Sequence, residues 1–396
     1  MRRCGLDDAQ ATSAAVPTPA RLNLIICTFA ISSEPCETQG HSCCAEGETG
    51  AGIPDNPPPV EDRFGHRISY IRISITDRCN ERCRYCLPEE RQEWLPREGI
   101  LSYDEILRIL RIGAGMGIRK VRITGGEPLT RRNVLSLIRG VAAVPGVEDI
   151  GISTNGTLLA DVSAEESGEG VTIARRLVEA GARTVNVSLD TLDQAAYAAI
   201  TNRNFHARAL AGIEAASVAG FESVKLNCVL MKGRTEHEVS DLVEFAHDHG
   251  CLLRFIELMP VSTTEVLTAD NFLSCGTVQQ ILAARYGPLV PCPEVRTNGP
   301  ASYWRIPGRN QLVGFIGAMT NLHFCESCNK LRLTADGKLR PCLGSHMETD
   351  IITPLRAGAT DDEITRLIAD TVDRKPKEHD FRTTYLPGRR MIAIGG

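Results

Sequence analysis

Three cysteines, Cys79, Cys83 and Cys86, stand at a C-x-x-x-C-x-x-C spacing directly after an apolar segment. Thiolates so spaced on a loop can hold three irons of a four-iron cluster and leave the fourth iron without a protein ligand. An open iron can chelate a small molecule by its amino and carboxylate groups, and one electron delivered there can break a bond in that molecule. A structural zinc asks for four ligands, commonly in C-x-x-C pairs, and no fourth Cys or His lies near this trio in sequence. A second set follows much later: Cys325 and Cys328 form a C-x-x-C pair, and Cys342 comes after an expected hairpin. It reads either as another cluster with a free iron or as a zinc site completed by His323 or His346.

The elements that must position these thiols are legible as a strand-then-helix alternation that repeats six times between Ile71 and Met259. Strands are expected at 71–77, 120–124, 149–154, 184–190, 224–231 and 252–259, and amphipathic helices at 103–115, 131–143, 172–181, 207–219 and 236–249. Alternation at this length predicts parallel βαβ units. Without a Gly-x-Gly-x-x-Gly turn, it favours a partial (β/α)6 TIM-like barrel of the α/β class over residues 61–262. Residues 263–396 are expected to form a smaller mixed C-terminal domain carrying the second cysteine set. Its elements are a helix near 277–286, strands around 303–306 and 312–317, and a helix at 361–372.

Side chains alternate across a strand, so each strand splits into two faces. Ile71, Ile73, Val121, Ile123, Val185 and Val187 belong under the helices. The other face carries Arg72, Lys120, Arg122, Asn186, Ser188, Lys225, Asn227 and Arg254. A parallel sheet built only for stability would be apolar on both sides, and unpaired buried cations are costly. The lumen therefore predicts an anionic substrate, most simply a polyphosphate, although Lys120 opens its strand and could reach solvent.

Gly125-Gly126-Glu127-Pro128, Thr154-Asn155-Gly156 and Ser188-Leu189-Asp190 each fall at the C-terminal end of a strand, where α/β barrels build their sites. With the first cysteine trio they make the chain resemble the radical S-adenosylmethionine (SAM) superfamily. From about Val60 to Gly396, with the second trio and the terminal Gly395-Gly396, it resembles the GTP 3′,8-cyclase family of molybdenum-cofactor biosynthesis. The resemblance implies two [4Fe-4S] clusters, on Cys79, Cys83 and Cys86 and on Cys325, Cys328 and Cys342. It implies SAM around Tyr85, Gly126, Ser188 and Met259, and GTP met by Arg72, Arg122, Ser153, Lys225, Lys330 and Arg332. It gives Arg72, Lys225, Arg332, Gly395 and Gly396 roles in the reaction. Its partners would be an electron donor such as flavodoxin or ferredoxin, a downstream cyclic pyranopterin monophosphate synthase, and a second copy in a homodimer; a cytoplasmic location follows. Lys330 and Ser153 stand where relatives often carry Arg and Thr. Rival readings are a peptide-maturing radical SAM enzyme with auxiliary clusters and a zinc-stabilised binding protein.

Composition is consistent with this. A net charge of −5 argues against a general nucleic-acid binder, and no apolar run is long enough to cross a bilayer. Fifteen cysteines in a chain of 396 residues, bunched rather than spread, read as ligands or redox groups. Cys228, Cys251, Cys275 and Cys292 are expected to be core thiols. Residues 1–60 are rich in Ala, Ser, Thr, Pro and Gly and are expected to be disordered; a signal peptide, or translation beginning at Val60, are the alternatives.

Overall fold

The computed structural model describes residues 59–87, 93–162, 170–262, 267–295, 297, 299–382, 385 and 388–395. Of the segment 1–60 expected to be disordered, residues 1–58 lie outside the described residues, as does Gly396, while Val60 pairs with Ile68.

Six strands form the parallel heart of the fold: β1 (Tyr70–Ser74), β2 (Lys120–Thr124), β3 (Asp149–Thr154), β4 (Thr184–Ser188), β5 (Ser223–Leu230) and β6 (Leu252–Glu257). Each pairs in parallel with the next. Helices α1 (Tyr103–Gly115), α2 (Val134–Ala142) and α3 (Ile173–Glu179) occupy expected places. After the fourth strand, α4 (Gln194–Thr201) precedes α5 (His206–Val218), and α6 (Val239–Asp248) leads into the sixth. The sequence reading missed α4. It is eight residues long, too short to display a helical period, although Asp193 caps it by accepting from the Ala196 N–H at 2.6 Å.

The face assignment holds. Ile71, Ile73, Val121, Ile123, Ile152, Val185, Val187, Leu226, Leu253 and Phe255 are at most 1% exposed and form one continuous core with the helices. Each such side chain contributes about 1.5–3 kcal/mol by leaving water.

The barrel does not close on itself. The C-terminal segment adds α7 (Cys275–Tyr286), β7 (Val290–Pro291), β8 (Ser302–Arg305), β9 (Leu312–Ile316), β10 (Lys330–Leu333), β11 (Lys338–Arg340) and β12 (Thr349–Asp350). Beyond these come α8 (Ile352–Arg356), α9 (Asp361–Asp373) and α10 (Met391–Ile394). β9 pairs in parallel with β6, and β10 in parallel with β1. The result is one mixed twelve-stranded sheet in the order β12-β11-β10-β1-β2-β3-β4-β5-β6-β9-β8-β7. Both barrel edges are thus covered by later strands, which removes two templates for unwanted pairing. Against the other flank, α8 and α9 are tied to α1 by Arg356–Glu105 at 2.7 Å and Arg108–Asp361 at 2.8 Å.

Candidate active site

The loop after β1 carries the first thiol trio, and hydrogen bonds from four other elements hold it. Arg82 and Arg84 donate their backbone N–H groups to the carbonyls of Thr201 and Ile200, at the end of α4, both at 2.9 Å. Tyr197 of the same helix donates to Glu81, whose carboxyl burial pushes up to about 7. Asn155 donates through Nδ2 to Asn80 Oδ1 at 2.7 Å. Tyr85 donates to Asp190 Oδ2 at 2.8 Å, and burial raises the Asp190 carboxyl to about 6.

The Gly-Gly-Glu turn after β2 is the fourth holder. Its Gly126 and Glu127 N–H groups donate to the carbonyls of Thr76 and Arg78 at 2.7 and 2.8 Å. A Cβ on Gly126 would collide with the Arg78 carbonyl. The resemblance puts Gly126 beside SAM; the structure adds that the thiol loop itself lies on this turn. Glu127, 1% exposed, accepts from Thr154 Oγ1 at 2.8 Å and from the Asn155 N–H at 2.7 Å. The first two strand-end motifs therefore brace each other, and all three brace the thiol loop.

The second trio lies on the turn before β10 and just after β11. Lys375, 3% exposed, donates to the carbonyls of Lys330 and Pro341 beneath it. Burial opposes the Cys328 thiolate, but Lys375 and Lys330 outweigh it, and the thiol falls below its ordinary value. Burial pushes the Cys325 thiol up to about 11 and raises that of Cys342.

All six cysteines line one chamber of about 510 Å³. They are free thiols. Burial, then Glu81 and the two neighbouring thiols, drives Cys83 well above its usual range, and burial pushes Cys86 up to about 12. Such thiols ionise together only against strong positive charge, as the irons of a cluster supply. Among the described residues, no three Cys, His, Asp or Glu side chains converge tightly enough for one metal ion. A tetrahedral zinc with bonds of about 2.3 Å would draw its thiolates to about 4 Å from one another. Cluster ligands bind separate irons, and two trios of free thiols opening into one chamber fit that demand. The histidines offered as fourth ligands are engaged elsewhere: His323 bonds Glu326 at 2.6 Å on the surface, and His346 stacks on Tyr385 at 4.8 Å.

The expected SAM contacts Tyr85, Gly126, Ser188 and Met259 line the same chamber, as do Arg72, Arg122, Ser153, Lys225, Arg254, Lys330 and Arg332. Arg332, Arg72 and Arg122 are register partners across β10, β1 and β2, which puts three guanidinium groups in a row. Arg122 is 5% exposed and, among the described residues, donates to three acceptors that carry no formal charge: Tyr70 OH at 3.1 Å, the Ile152 carbonyl at 3.0 Å and Thr184 Oγ1 at 3.1 Å. Its β3 neighbour is Gly151, where a Cβ would collide with the guanidinium. Arg254 donates from Nε and Nη2 to Asn227 Oδ1 at 3.0 and 2.6 Å. Among the described residues, Arg122, Lys225, Arg254, Lys330 and Arg332 meet no carboxylate at ion-pair distance. Burial, with help from Arg254 and Arg122, lowers Lys225 to about 8, and burial with Arg72 lowers Arg332 to about 9.

The C-terminal tail enters this row. The Gly395 carbonyl accepts from Arg332 Nη1 at 2.6 Å and Arg72 Nε at 3.3 Å. Gly395 takes φ of 71°, with Thr124 Cγ2 and Ser74 Cβ 3.0 and 3.3 Å from where a Cβ would be. A larger residue there would be strained.

Three outcomes differ from the sequence reading. Lys120 is half-buried and is not part of the chamber wall, as its position at the strand start allowed. Tyr70, missed because the strand was started one residue late, lies two positions before Arg72 on the same face. Burial favours its neutral form, but Arg122, Arg72 and Lys330 overcome this and bring the phenol to about 8. Lys375 carried no signal in sequence, since only the packing of its loop brings it under the thiols.

A partial βα barrel with three thiols on the loop after its first strand, braced by glycine-rich and polar strand ends, defines a radical SAM enzyme. The Radical SAM superfamily matches residues 73–246, and Molybdenum Cofactor Synthesis C matches 251–381. GTP 3′,8-cyclase of Moorella thermoacetica is 43% identical over 337 residues, 85% of this chain and 100% of that protein. The Rhodopirellula baltica GTP 3′,8-cyclase is 42% identical, covering 87% and 95%. The chain belongs to the GTP 3′,8-cyclase family. The crystal structure of Streptococcus suis SuiB bound to precursor peptide SuiA superposes with a TM-score of 0.53 at 15% identity, over 80% of this chain and 67% of that one. That likeness is one of fold alone.

Proposed function

We propose that the chain converts GTP to (8S)-3′,8-cyclo-7,8-dihydroguanosine 5′-triphosphate, the first step of molybdenum-cofactor biosynthesis. The observation that carries this is the single chamber in which two thiol trios flank a row of arginines facing few counter-charges. When bound, the first cluster and SAM would supply a 5′-deoxyadenosyl radical that takes the ribose 3′ hydrogen as 5′-deoxyadenosine; C3′ would then bond to guanine C8 as the C8–N7 double bond opens, and one electron from the donor with one proton would complete the 7,8-dihydro product.

The rest is the work of this chain's residues. Cys79, Cys83 and Cys86 would hold the first cluster, and Cys325, Cys328 and Cys342 the second, which takes the base. Tyr85, Gly126, Ser188 and Met259 form the SAM wall. Arg72, Arg122, Lys225, Lys330 and Arg332, with Arg254, bind the triphosphate, whose charge compensates cations that burial otherwise disfavours. Ser153 adds a hydroxyl. Gly395 brings the tail against Arg72 and Arg332, and the terminal glycines, Gly396 with it, are assigned the role of closing the chamber to water, so that the radical meets its target hydrogen first.

The same reading assigns a flavodoxin or ferredoxin as electron donor, cyclic pyranopterin monophosphate synthase as consumer of the product, a homodimer as the assembly and the cytoplasm as location. Among the described residues, no helix is long and apolar enough to cross a membrane.

Anaerobically reconstituted protein should carry about eight irons and, with SAM, GTP and a reductant, yield 5′-deoxyadenosine and cyclised nucleotide together. Cys83→Ala should lose SAM cleavage with about four irons remaining. Cys328→Ala should cleave SAM yet leave GTP unchanged. Wild-type protein that cleaves SAM while GTP persists would remove the substrate assignment and leave the radical chemistry standing.

A further inference from the structure

β3, β4 and β5 set Ser153, Asn186 and Lys225 side by side: Asn186 is the register partner of both. All three face the chamber. Asn186 is 6% exposed, and its Oδ1 has no hydrogen-bond partner among the described residues. The adjacent Ser153 Oγ is also buried and also without one. By contrast, the Oδ1 of Asn227 on the same wall accepts from Arg254 at 2.6 Å. Buried acceptors without donors are rare in native proteins. Two neighbouring ones mark a place where a ligand's donors belong.

The ligand chemistry follows from what each part of a nucleotide can offer. Ionised phosphate oxygens only accept, so a triphosphate cannot satisfy Asn186 Oδ1. The base is assigned to the second thiol set, which flanks β10 and β11, while Ser153 and Asn186 lie three and four strands away from β10 in the sheet. Sugar hydroxyls each donate once and also accept, which suits two adjacent oxygens. Depth agrees. Ser188, on the SAM wall, lies two residues beyond Asn186 on the same face of β4, so Asn186 is one step deeper in the lumen.

We propose that Asn186 Oδ1 and Ser153 Oγ accept hydrogen bonds from the ribose hydroxyls of the substrate nucleotide, making Asn186 a specificity-determining residue that fixes the sugar beneath the SAM level. This rests on the GTP-cyclising reading above.

The test measures anaerobic binding of GTP, 2′-deoxy-GTP and 3′-deoxy-GTP, and separately of SAM, to the reconstituted holoenzyme. Wild type should bind at least one deoxy analogue about tenfold or more weaker than GTP, because the lost hydroxyl leaves a buried acceptor unpaired. Asn186→Leu should bring that ratio close to one, with iron content and SAM affinity unchanged. Should that variant fail to fold, Asn186→Ala and Ser153→Ala give the same readout. A ratio that stays at its wild-type value in the variants overturns the proposal. So does a loss of SAM affinity without a change in that ratio, since the ribose read would then be SAM's. Failure of wild type to convert GTP sinks the wider reading, whereas conversion with unaltered discrimination sinks only this inference.

Discussion

The lumen cations are expensive in the free protein, and that cost is what makes them useful. Lys225 stands near 8 because burial and the charges of Arg254 and Arg122 all disfavour its ammonium form. A bound triphosphate reverses the electrostatic part and moves Lys225 back towards its ordinary value of about 10.4. Between pH of about 8 and 10 the complex therefore holds more protons than the free enzyme. GTP binding at pH about 9 should take up protons, and affinity should fall as pH rises through about 8. Calorimetry in two buffers of different ionisation heat reads the uptake, and Lys225→Met should remove most of it. An unchanged uptake in that variant would assign the protons to other groups, with Tyr70 first among them. Lys225 was visible in sequence through strand alternation. Its altered titration was not, because that depends on Arg254 and Arg122 arriving from other strands.

At the scale of elements, the thiol loop has no regular structure of its own to fix it. Its shape comes from α4, the Gly-Gly-Glu turn, the Asn155 strand end and Asp190. Gly126→Ala forces the Arg78 carbonyl away from the turn, so the loop must move and carry the thiols with it. That variant should fold, retain the second cluster and lose the first: about four irons in place of eight, with SAM cleavage at background. Full iron content and normal cleavage would show that the turn tolerates a methyl and that the close approach is incidental. The motifs themselves were legible in sequence. Their mutual bracing was not, since the partners Asn80 and Asn155, or Tyr85 and Asp190, are separated by 75 and 105 residues.

Over the whole molecule, the C-terminal segment does more than bring a second thiol set. It covers both edges of the barrel sheet and sends its tail back into the lumen. The tail is latched by Arg389, whose Nη1 donates to both carboxylate oxygens of Asp336 at 3.0 and 2.9 Å and whose Nε lies 2.8 Å from Glu348 Oε1. Arg389→Ala removes charge-assisted bonds worth about 1.5–3 kcal/mol and should open the tail at least about tenfold more often. Carboxypeptidase should then trim the terminal glycines faster, and cyclisation should fall while the iron content stays the same. Arg389→Lys, which keeps the charge facing Asp336 and Glu348, should restore part of the protection. Equal trimming rates in wild type and Arg389→Ala would show that the tail is held by Ile392 and Ile394 alone.

Sequence by itself determined the local chemistry: which cysteines form trios, which strand faces carry charge, and which strand ends carry glycine or acid. These are set by spacing and by the two-residue period of a strand, both properties of short stretches of chain. Only the tertiary structure decided that β10 lies against β1, that Arg332, Arg72 and Arg122 form one row, and that two thiol sets 239 residues apart at their nearest open into one chamber. Pairing between strands so distant in the chain is chosen by the burial of a shared core, and no local pattern records it.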